Sequence, residues 1–101
     1  MLIFNTTYQV DMNDARDFVI FIHEQYLPAT LQQGELKNGR LSRILSHKDP
    51  DSECFAVQFE VEDTAALHRW HVKVGQQLEA DIVKMFNERV VGFSTIMEVI
   101  E

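Results

Sequence analysis

Hydrophobic and polar residues alternate at the start of the chain. One phase of this alternation consists of Leu2, Phe4, Thr6, Tyr8 and Val10. A two-residue period with aromatic and β-branched side chains is typical of a strand with one buried face. We therefore predict a first strand over residues 2–10. Its other face has a mixed character and carries Ile3, Asn5, Thr7 and Gln9.

The hydrophobic spacing changes to three and four residues after Asp11, which offers a side-chain cap for a helix. This spacing predicts a helix that ends near Gly34 and whose regular part is interrupted at Pro28. The core-facing stripe consists of Ala15, Phe18, Val19, Ile22, Tyr26 and Ala29. A second stripe consists of Ile20, Leu27 and Leu31. A helix with two hydrophobic stripes is expected to be buried on two sides or to meet a partner.

The middle of the chain predicts a β-hairpin. Residues 41–47 and 54–61 both alternate, and residues 48–52 between them are dense in turn-forming residues. The second of these strands has the clearest pattern. Its inward positions are Phe55, Val57, Phe59 and Val61.

A second helix is predicted after Asp63, which again offers a side-chain cap. Gly75 lies within this helix, where glycine costs about 1 kcal/mol relative to alanine, so we expect a bend or a close packing contact there. Residues 90–100 predict a last strand. The core stripe of the helix consists of Leu67, Trp70, Val74, Leu78, Ile82 and Met85.

The order of these elements, βαββαβ, predicts an α+β fold of the ferredoxin-like type, with one domain over residues 1–101. Such a fold is a four-stranded antiparallel sheet with both helices on one face. The uncovered face is expected to carry Ile3, Asn5, Thr7, Gln9, Cys54, Ala56, Gln58 and Glu60. This mixed face fits either contact with water or packing against the same face of a second copy, and we favour the homodimer.

Composition narrows the range of partners. The chain has 101 residues and a formal net charge of −7, which disfavours nucleic acid and anionic membranes as partners. Its single cysteine excludes an internal disulfide and a cysteine-based zinc site. No segment approaches the roughly 20 apolar residues of a membrane helix, and the first residues do not resemble a secretory signal. We therefore expect a cytoplasmic protein.

Candidate catalytic residues are few. His68 and His71 are neighbours on one helix, but no third ligand accompanies them, so we predict no metal site. His23 and His71 are the candidate acid–base residues, and an ordinary surface or packing role is the alternative for each. Cys54 follows Glu53, whose charge is expected to raise the pKa of the thiol and to disfavour a nucleophilic role.

Arg43 is an unusual residue in its predicted strand, because Leu41 and Leu45 share its face. A guanidinium on a sheet face requires a carboxylate or an anionic ligand. Glu60 in the neighbouring strand is the candidate partner. A structural ion pair is favoured over an anion site.

Several segments together resemble a known family: IFNTTYQVD, FIHEQYLPATL, RLSRIL, AVQFEVED and VVGFSTIMEVI. In this order they are similar to a small bacterial family, domain of unknown function 4286, over essentially the whole chain. That family is similar in size and pattern to the dimeric α/β barrel superfamily of ferredoxin-like proteins. The resemblance implies a homodimer with its sheets face to face. Superfamily relatives include small monooxygenases, isomerases and haem-binding enzymes, but the resemblance assigns no catalytic residue to this chain.

These observations lead to one preferred hypothesis and two alternatives. The preferred hypothesis is a homodimer without a cofactor that binds a small apolar or amphipathic molecule between its sheets, through Asn5, Thr7, Arg43 and Gln58. The first alternative is a small cofactor-independent monooxygenase-like or isomerase-like enzyme that acts on an aromatic or quinone-like molecule. One of the two candidate histidines would then handle protons. The second alternative is a protein-interaction module that uses the second stripe of the first helix.

Overall fold

Four strands and two long helices form in the predicted order. The computed structural model describes residues 1–101, and its single antiparallel sheet has the strand order β2-β3-β1-β4. The ferredoxin-like fold is therefore confirmed. The strands are β1 (Leu2–Asp11), β2 (Leu36–Arg43), β3 (Ser52–Val61) and β4 (Val90–Glu98). Neither helix has the length and hydrophobicity that crossing a membrane requires.

Each helix contains one π-helical turn between two α-helical parts. In the first such turn the Leu27 N–H donates to the Ile22 carbonyl, and in the second the Gln76 N–H donates to the His71 carbonyl. The additional residue in a π turn rotates all later residues relative to a regular α-helix. Helix α1 comprises Ala15–Phe21, Ile22–Tyr26 and Leu27–Gln33, after a 3₁₀ turn at Met12–Asp14. Helix α2 comprises Thr64–Trp70, His71–Gly75 and Gln76–Phe86, before a 3₁₀ turn at Asn87–Arg89.

The predicted core stripe of α2 differs from the structure at its last position. Met85 was predicted to be buried but is 46% exposed, whereas Phe86 is 2% exposed. Phe86 continues the four-residue spacing of Leu78 and Ile82, which follow the π turn and are buried as predicted. Gly75 provides the predicted close contact, because a Cβ atom there would lie 2.6 Å from the Trp70 ring.

The buried residues of helix α1 also differ in part from its predicted core stripe. Phe21 and Thr30 are buried, while Val19 and Ala29 are only half-buried. Pro28 does not end the helix, because it lies in the first turn of the part that follows the π turn, where a missing N–H is tolerated. In the predicted second stripe, Ile20 and Leu31 are exposed and Leu27 packs partly against the core.

The predicted position of β2 was wrong. We expected a strand over residues 41–47, but β2 spans Leu36–Arg43. Leu36 is buried within a stretch of polar residues, and the pairing with β3 shifts register between Lys37 and Arg40. Such a bulge interrupts the alternation from which a strand is predicted.

The loop between β2 and β3 is consequently longer than expected. Leu45 is exposed and His47 lies in the loop rather than in a strand. Strand β3 begins at Ser52, and β4 ends at Glu98 rather than at residue 100.

The core lies between the sheet and the two helices and is rich in aromatic side chains. Its polar groups are paired with each other. The Tyr8 hydroxyl donates to Glu79 Oε1 at 2.6 Å, and the Tyr26 hydroxyl donates to the same oxygen at 3.4 Å. The Trp70 indole N–H donates to Thr30 Oγ1 at 3.2 Å. Burial raises the pKa of both tyrosines, and the nearby Glu79 carboxylate adds to the effect.

Candidate functional site

The face of the sheet opposite the helices, called the open face below, has a regular arrangement of side chains. Residues paired across the strands form rows that run from β2 through β3 and β1 to β4. The central row is Arg40, Gln58, Asn5 and Thr95. The rows beside it are Lys37, Glu60, Ile3 and Met97, and Ser42, Ala56, Thr7 and Phe93.

The character of the open face changes from one edge to the other. On β2 the side chains are polar or cationic, as Lys37 and Arg40 illustrate. On β4 the side chains are mostly hydrophobic: Val91 is 62% exposed, Phe93 is 65% exposed and Met97 is 40% exposed. We call these three residues the apolar margin. Exposed hydrophobic residues that lie together indicate an interaction surface.

Three of the four predicted ligand-binding residues lie together at the centre of the open face. Asn5 pairs with Gln58 across the strands, and Asn5 Nδ2 donates to Thr7 Oγ1 at 3.1 Å. Asn5 Oδ1 is buried and accepts no hydrogen bond. Buried polar atoms in folded proteins almost always have a partner. The centre of the open face therefore contains one polar atom whose hydrogen bond this chain alone does not supply.

Arg43 does not belong to this group. It lies on the side of the sheet that faces the helices, with its guanidinium carbon 5.5 Å from the centroid of the Phe55 ring. Its ion-pair partner is Glu53, at 3.4 Å between Nε and Oε1, so the predicted pair with Glu60 was wrong. Because β3 side chains alternate between faces, Glu53 and Glu60 lie on opposite sides of the sheet.

The two candidate histidines also lie away from the open face. His23 is exposed on α1. His71 is exposed on α2 and lies with His68 beside a groove between that helix and β4. No three His, Cys, Asp or Glu side chains are arranged to hold a metal ion.

A different histidine reaches the open face. His47 Nδ1 lies 3.3 Å from Cys54 Sγ, and His47 Nε2 lies 2.8 Å from Ser52 Oγ. The Ser52 hydroxyl donates to Asp49 Oδ2 at 2.9 Å. We call these four residues the loop cluster. It lies at the end of the open face where the β2–β3 loop meets β3.

The electrostatics of the loop cluster follow from its contacts. The backbone N–H of Asp51 and then the Ser52 hydroxyl hold the pKa of Asp49 below its usual range. Burial and then the Asp49 charge raise the pKa of the Cys54 thiol. The expected direction for Cys54 was right, but Asp49 rather than Glu53 supplies the charge.

The sequence contained a weak signal for the loop cluster. His47, Asp49, Ser52 and Cys54 lie within one short turn-rich segment. We did not identify the cluster because a strand was predicted to continue through His47, whereas contact with Cys54 requires a loop at that position. Ser52 was interpreted only as a turn residue.

Solved structures share this fold at low sequence identity. One is a Deinococcus radiodurans protein assigned provisionally to the antibiotic biosynthesis monooxygenases, with 20% identity, a TM-score of 0.78, and coverage of 100% of this chain and 94% of that chain. Another is a dimeric ferredoxin-like protein from an uncultured marine organism, with 11% identity, a TM-score of 0.71, and coverage of 99% and 95%. A third is a variant of SnoaB, a cofactor-independent oxygenase from Streptomyces nogalater, with 12% identity, a TM-score of 0.65, and coverage of 99% and 93%.

These similarities establish the fold alone. No curated protein matches the chain. The family resemblance noted in the sequence is confirmed, because the family model described as domain of unknown function (DUF4286) matches residues 1–100. The chain belongs to the DUF4286 family.

Proposed function

We propose that the chain forms a homodimer in which two open faces pack together and enclose a small apolar or amphipathic molecule. The observation that carries the proposal is the open face itself. An exposed apolar margin lies beside a polar centre whose Asn5 Oδ1 atom is buried without a partner. The face that the helices cover exposes less surface to a second copy, because most of its aromatic side chains are buried.

Hydrophobic burial favours the association of two open faces. Val91, Phe93 and Met97 expose hydrophobic area that a second copy would remove from water, at about 25 cal/mol per Å². A two-fold axis places the same surface on both partners, so one apolar margin contributes twice. The dimeric ferredoxin-like protein of similar fold supports the formation of a dimer.

Charge does not oppose this association. The whole chain has a formal net charge of −7, and two copies repel each other over most of their surface. The open face does not share this excess, because Lys37 and Arg40 balance Asp11 and Glu60 among the charged residues of its strands. Two open faces therefore meet without the excess of negative charge that the whole chain carries.

The polar centre suggests the chemistry of the enclosed molecule. Asn5, Thr7 and Gln58 offer amide and hydroxyl groups, while Ile3, Phe93 and Ala56 surround them with apolar atoms. A pocket of this kind orients a molecule through a few hydrogen bonds and excludes water from the rest of it. The proposal uses Asn5, Thr7 and Gln58 as ligand-binding residues and leaves out Arg43, which the sheet separates from them.

Catalysis is the second candidate function. Proteins of similar fold include a cofactor-independent oxygenase, and a small monooxygenase-like or isomerase-like activity on an aromatic molecule fits a cleft between two sheets. In such an enzyme the proton-handling role passes from His23 and His71 to His47, the histidine that reaches the open face.

Native mass spectrometry of freshly purified protein tests the proposal. The expected result is a dimer near twice 11.7 kDa that carries a reproducible additional mass. A dimer without that mass would retain the assembly and remove the ligand. A monomer would overturn both parts, and exposed Ile20 and Leu31 on α1 would then be the remaining surface for a protein partner.

Matched variants separate ligand binding from folding. Asn5→Ala removes the unpartnered acceptor and is expected to lose the additional mass while the dimer remains. Arg43→Ala is the control and is expected to retain it. Fractionation of cells tests the cytoplasmic location, which is still a prediction from the sequence.

A further inference from the structure

The hydrogen bonds of the loop cluster determine which nitrogen of His47 carries a proton. Ser52 Oγ lies within hydrogen-bonding distance of Asp49 Oδ2, His47 Nε2 and Gln9 Nε2. The Asp49 carboxylate only accepts, so it takes the single Ser52 hydroxyl proton. The Gln9 amide nitrogen only donates. His47 Nε2 must therefore donate to Ser52 as well.

This assignment leaves His47 Nδ1 without a proton. A neutral imidazole carries one N–H, so its other nitrogen has a free lone pair. That lone pair faces the Cys54 sulfur at 3.3 Å. The chain of bonds from Asp49 through Ser52 thus holds His47 in the tautomer that accepts the Cys54 thiol proton.

A small hollow opens beside this pair. It has a volume of about 210 Å³, and its wall includes the loop cluster and the side chains of Arg43, Glu53, Met12 and Leu45. A water molecule occupies about 30 Å³ in the liquid, so the hollow admits a molecule of several non-hydrogen atoms. Arg43 and Glu53 pair with each other. The Asp49 charge is then unbalanced in the wall, which disfavours anionic molecules.

We propose that Cys54 and His47 form a nucleophile–base pair that attacks small, neutral carbon electrophiles in this hollow. In the reaction the Cys54 sulfur forms a bond to carbon and the leaving group departs with the electron pair of the bond that breaks. The thiol proton passes to His47 Nδ1. The resulting imidazolium is stabilised through Ser52 by the Asp49 carboxylate. The site does not require the homodimer, because the loop and β3 of one chain supply every group.

A base is needed because the thiol does not ionise readily by itself. Burial and the Asp49 charge both raise the pKa of Cys54, so thiolate is scarce at neutral pH. Glu53 and Arg43 are the other charged groups in the wall of the hollow, and they form a pair. General-base assistance then determines the rate of attack.

Iodoacetamide is a suitable probe, since it is small, neutral and has an electrophilic carbon. Mass spectrometry follows the addition of the acetamide group to the folded protein at about pH 7. The wild type is expected to react at least about tenfold faster than the His47→Gln variant. His68→Gln is the matched control, because it changes an exposed histidine on α2, and it should react like the wild type. Cys54→Ser should not react.

The dependence of the rate on pH distinguishes a base from a merely structural residue. Without a base, alkylation falls about tenfold per pH unit below the thiol pKa, because only thiolate reacts. His47→Gln should show this dependence, and the wild type should decline less steeply. Equal rates or equal pH dependence in the wild type and His47→Gln would overturn the proposal.

Ser52→Ala provides a second route if His47→Gln changes the loop. It retains the imidazole but removes the acceptor of its Nε2–H, so the alkylation rate should be intermediate. Nitrogen NMR of the wild type reads the tautomer directly. A proton on Nδ1 rather than on Nε2 would contradict the assignment from which the proposal starts.

Discussion

The two faces of the sheet share the same strands but differ in how completely they are packed. On the side that the helices cover, Phe59 is 1% exposed and Trp70 is 2% exposed, whereas Phe93 on the open face is 65% exposed. The polar atoms of Tyr8 and Trp70 have partners on the covered side. On the open side Asn5 Oδ1 has none. The covered face therefore accounts for the fold, and the open face retains the groups that are available for binding.

The largest expected effect is on the covered face. Trp70→Ala removes an indole that packs against Phe4, Tyr26 and Gly75 and donates to Thr30. Large-to-small changes of this kind reduce the free energy of unfolding by about 3–5 kcal/mol. Urea unfolding measures this loss.

Phe93→Ala is the control on the open face for this experiment. At protein concentrations too low for association it should change the free energy of unfolding by about 0.5 kcal/mol or less. A similar loss in both variants would mean that the two faces contribute equally to the folded monomer.

The next effect concerns association through the open face. Phe93→Asp places a charge within the apolar margin and is expected to weaken the dimer by about 30-fold or more, the effect of losing one hot-spot residue. Analytical ultracentrifugation measures the dissociation constant. Val83→Asp is the matched control, since Val83 is 62% exposed on α2 and lies away from the open face. Dimers of equal strength in the two variants would exclude the open face as the interface.

A third prediction uses pH to test the covered face. The pKa of Tyr8 and Tyr26 is raised in the folded protein, whereas unfolded tyrosines ionise at about pH 10. Their contribution to stability is complete below about pH 10 and is lost as the pH rises further, because the unfolded state then binds fewer protons. Each tyrosine lowers the free energy of unfolding by at most about 1.4 kcal/mol per pH unit.

Denaturant unfolding at several alkaline pH values measures this slope. Tyr8→Phe removes one of the two groups and should make the decline less steep. An unchanged slope would show that other groups, and not the tyrosines beside Glu79, cause the alkaline loss of stability.

The difference between these two faces also explains which parts of the fold and of the candidate site could be predicted from the sequence. The alternation of Phe55, Val57 and Phe59 against Ala56 and Gln58 identified β3, because the helices cover one face and not the other. The same alternation placed Asn5, Thr7 and Gln58 together. This placement depends only on the two-residue period of a strand, which is visible in the sequence when the two faces of the strand differ in polarity.

Other features of the structure have no periodic pattern in the sequence that identifies them. Met85 and Phe86 lie three and four residues after Ile82, and hydrophobic spacing alone does not decide which of the two enters the core. The bulge in β2 hid Leu36 within a polar stretch. The contact between His47 and Cys54 depends on how the loop folds back over β3, which is a tertiary feature. Prediction therefore failed where the local geometry departs from the regular repeat, or where two neighbouring residues fit that repeat equally well.

The smallest expected effect concerns Arg43, whose variant tests most directly whether the two faces have separate roles. Its guanidinium lies on the covered side, with Glu53 and the Phe55 ring as its partners. A half-exposed ion pair and an exposed cation–π contact each contribute about 1 kcal/mol or less. Arg43→Ala should therefore reduce the free energy of unfolding only slightly in urea, and it should leave the dimer and its additional mass in native spectra unchanged. If Arg43→Ala lost that mass as Asn5→Ala is expected to do, a group on the covered side would contribute to the ligand site. The face of the sheet that stabilises the fold and the face that binds the ligand would then not have separate roles.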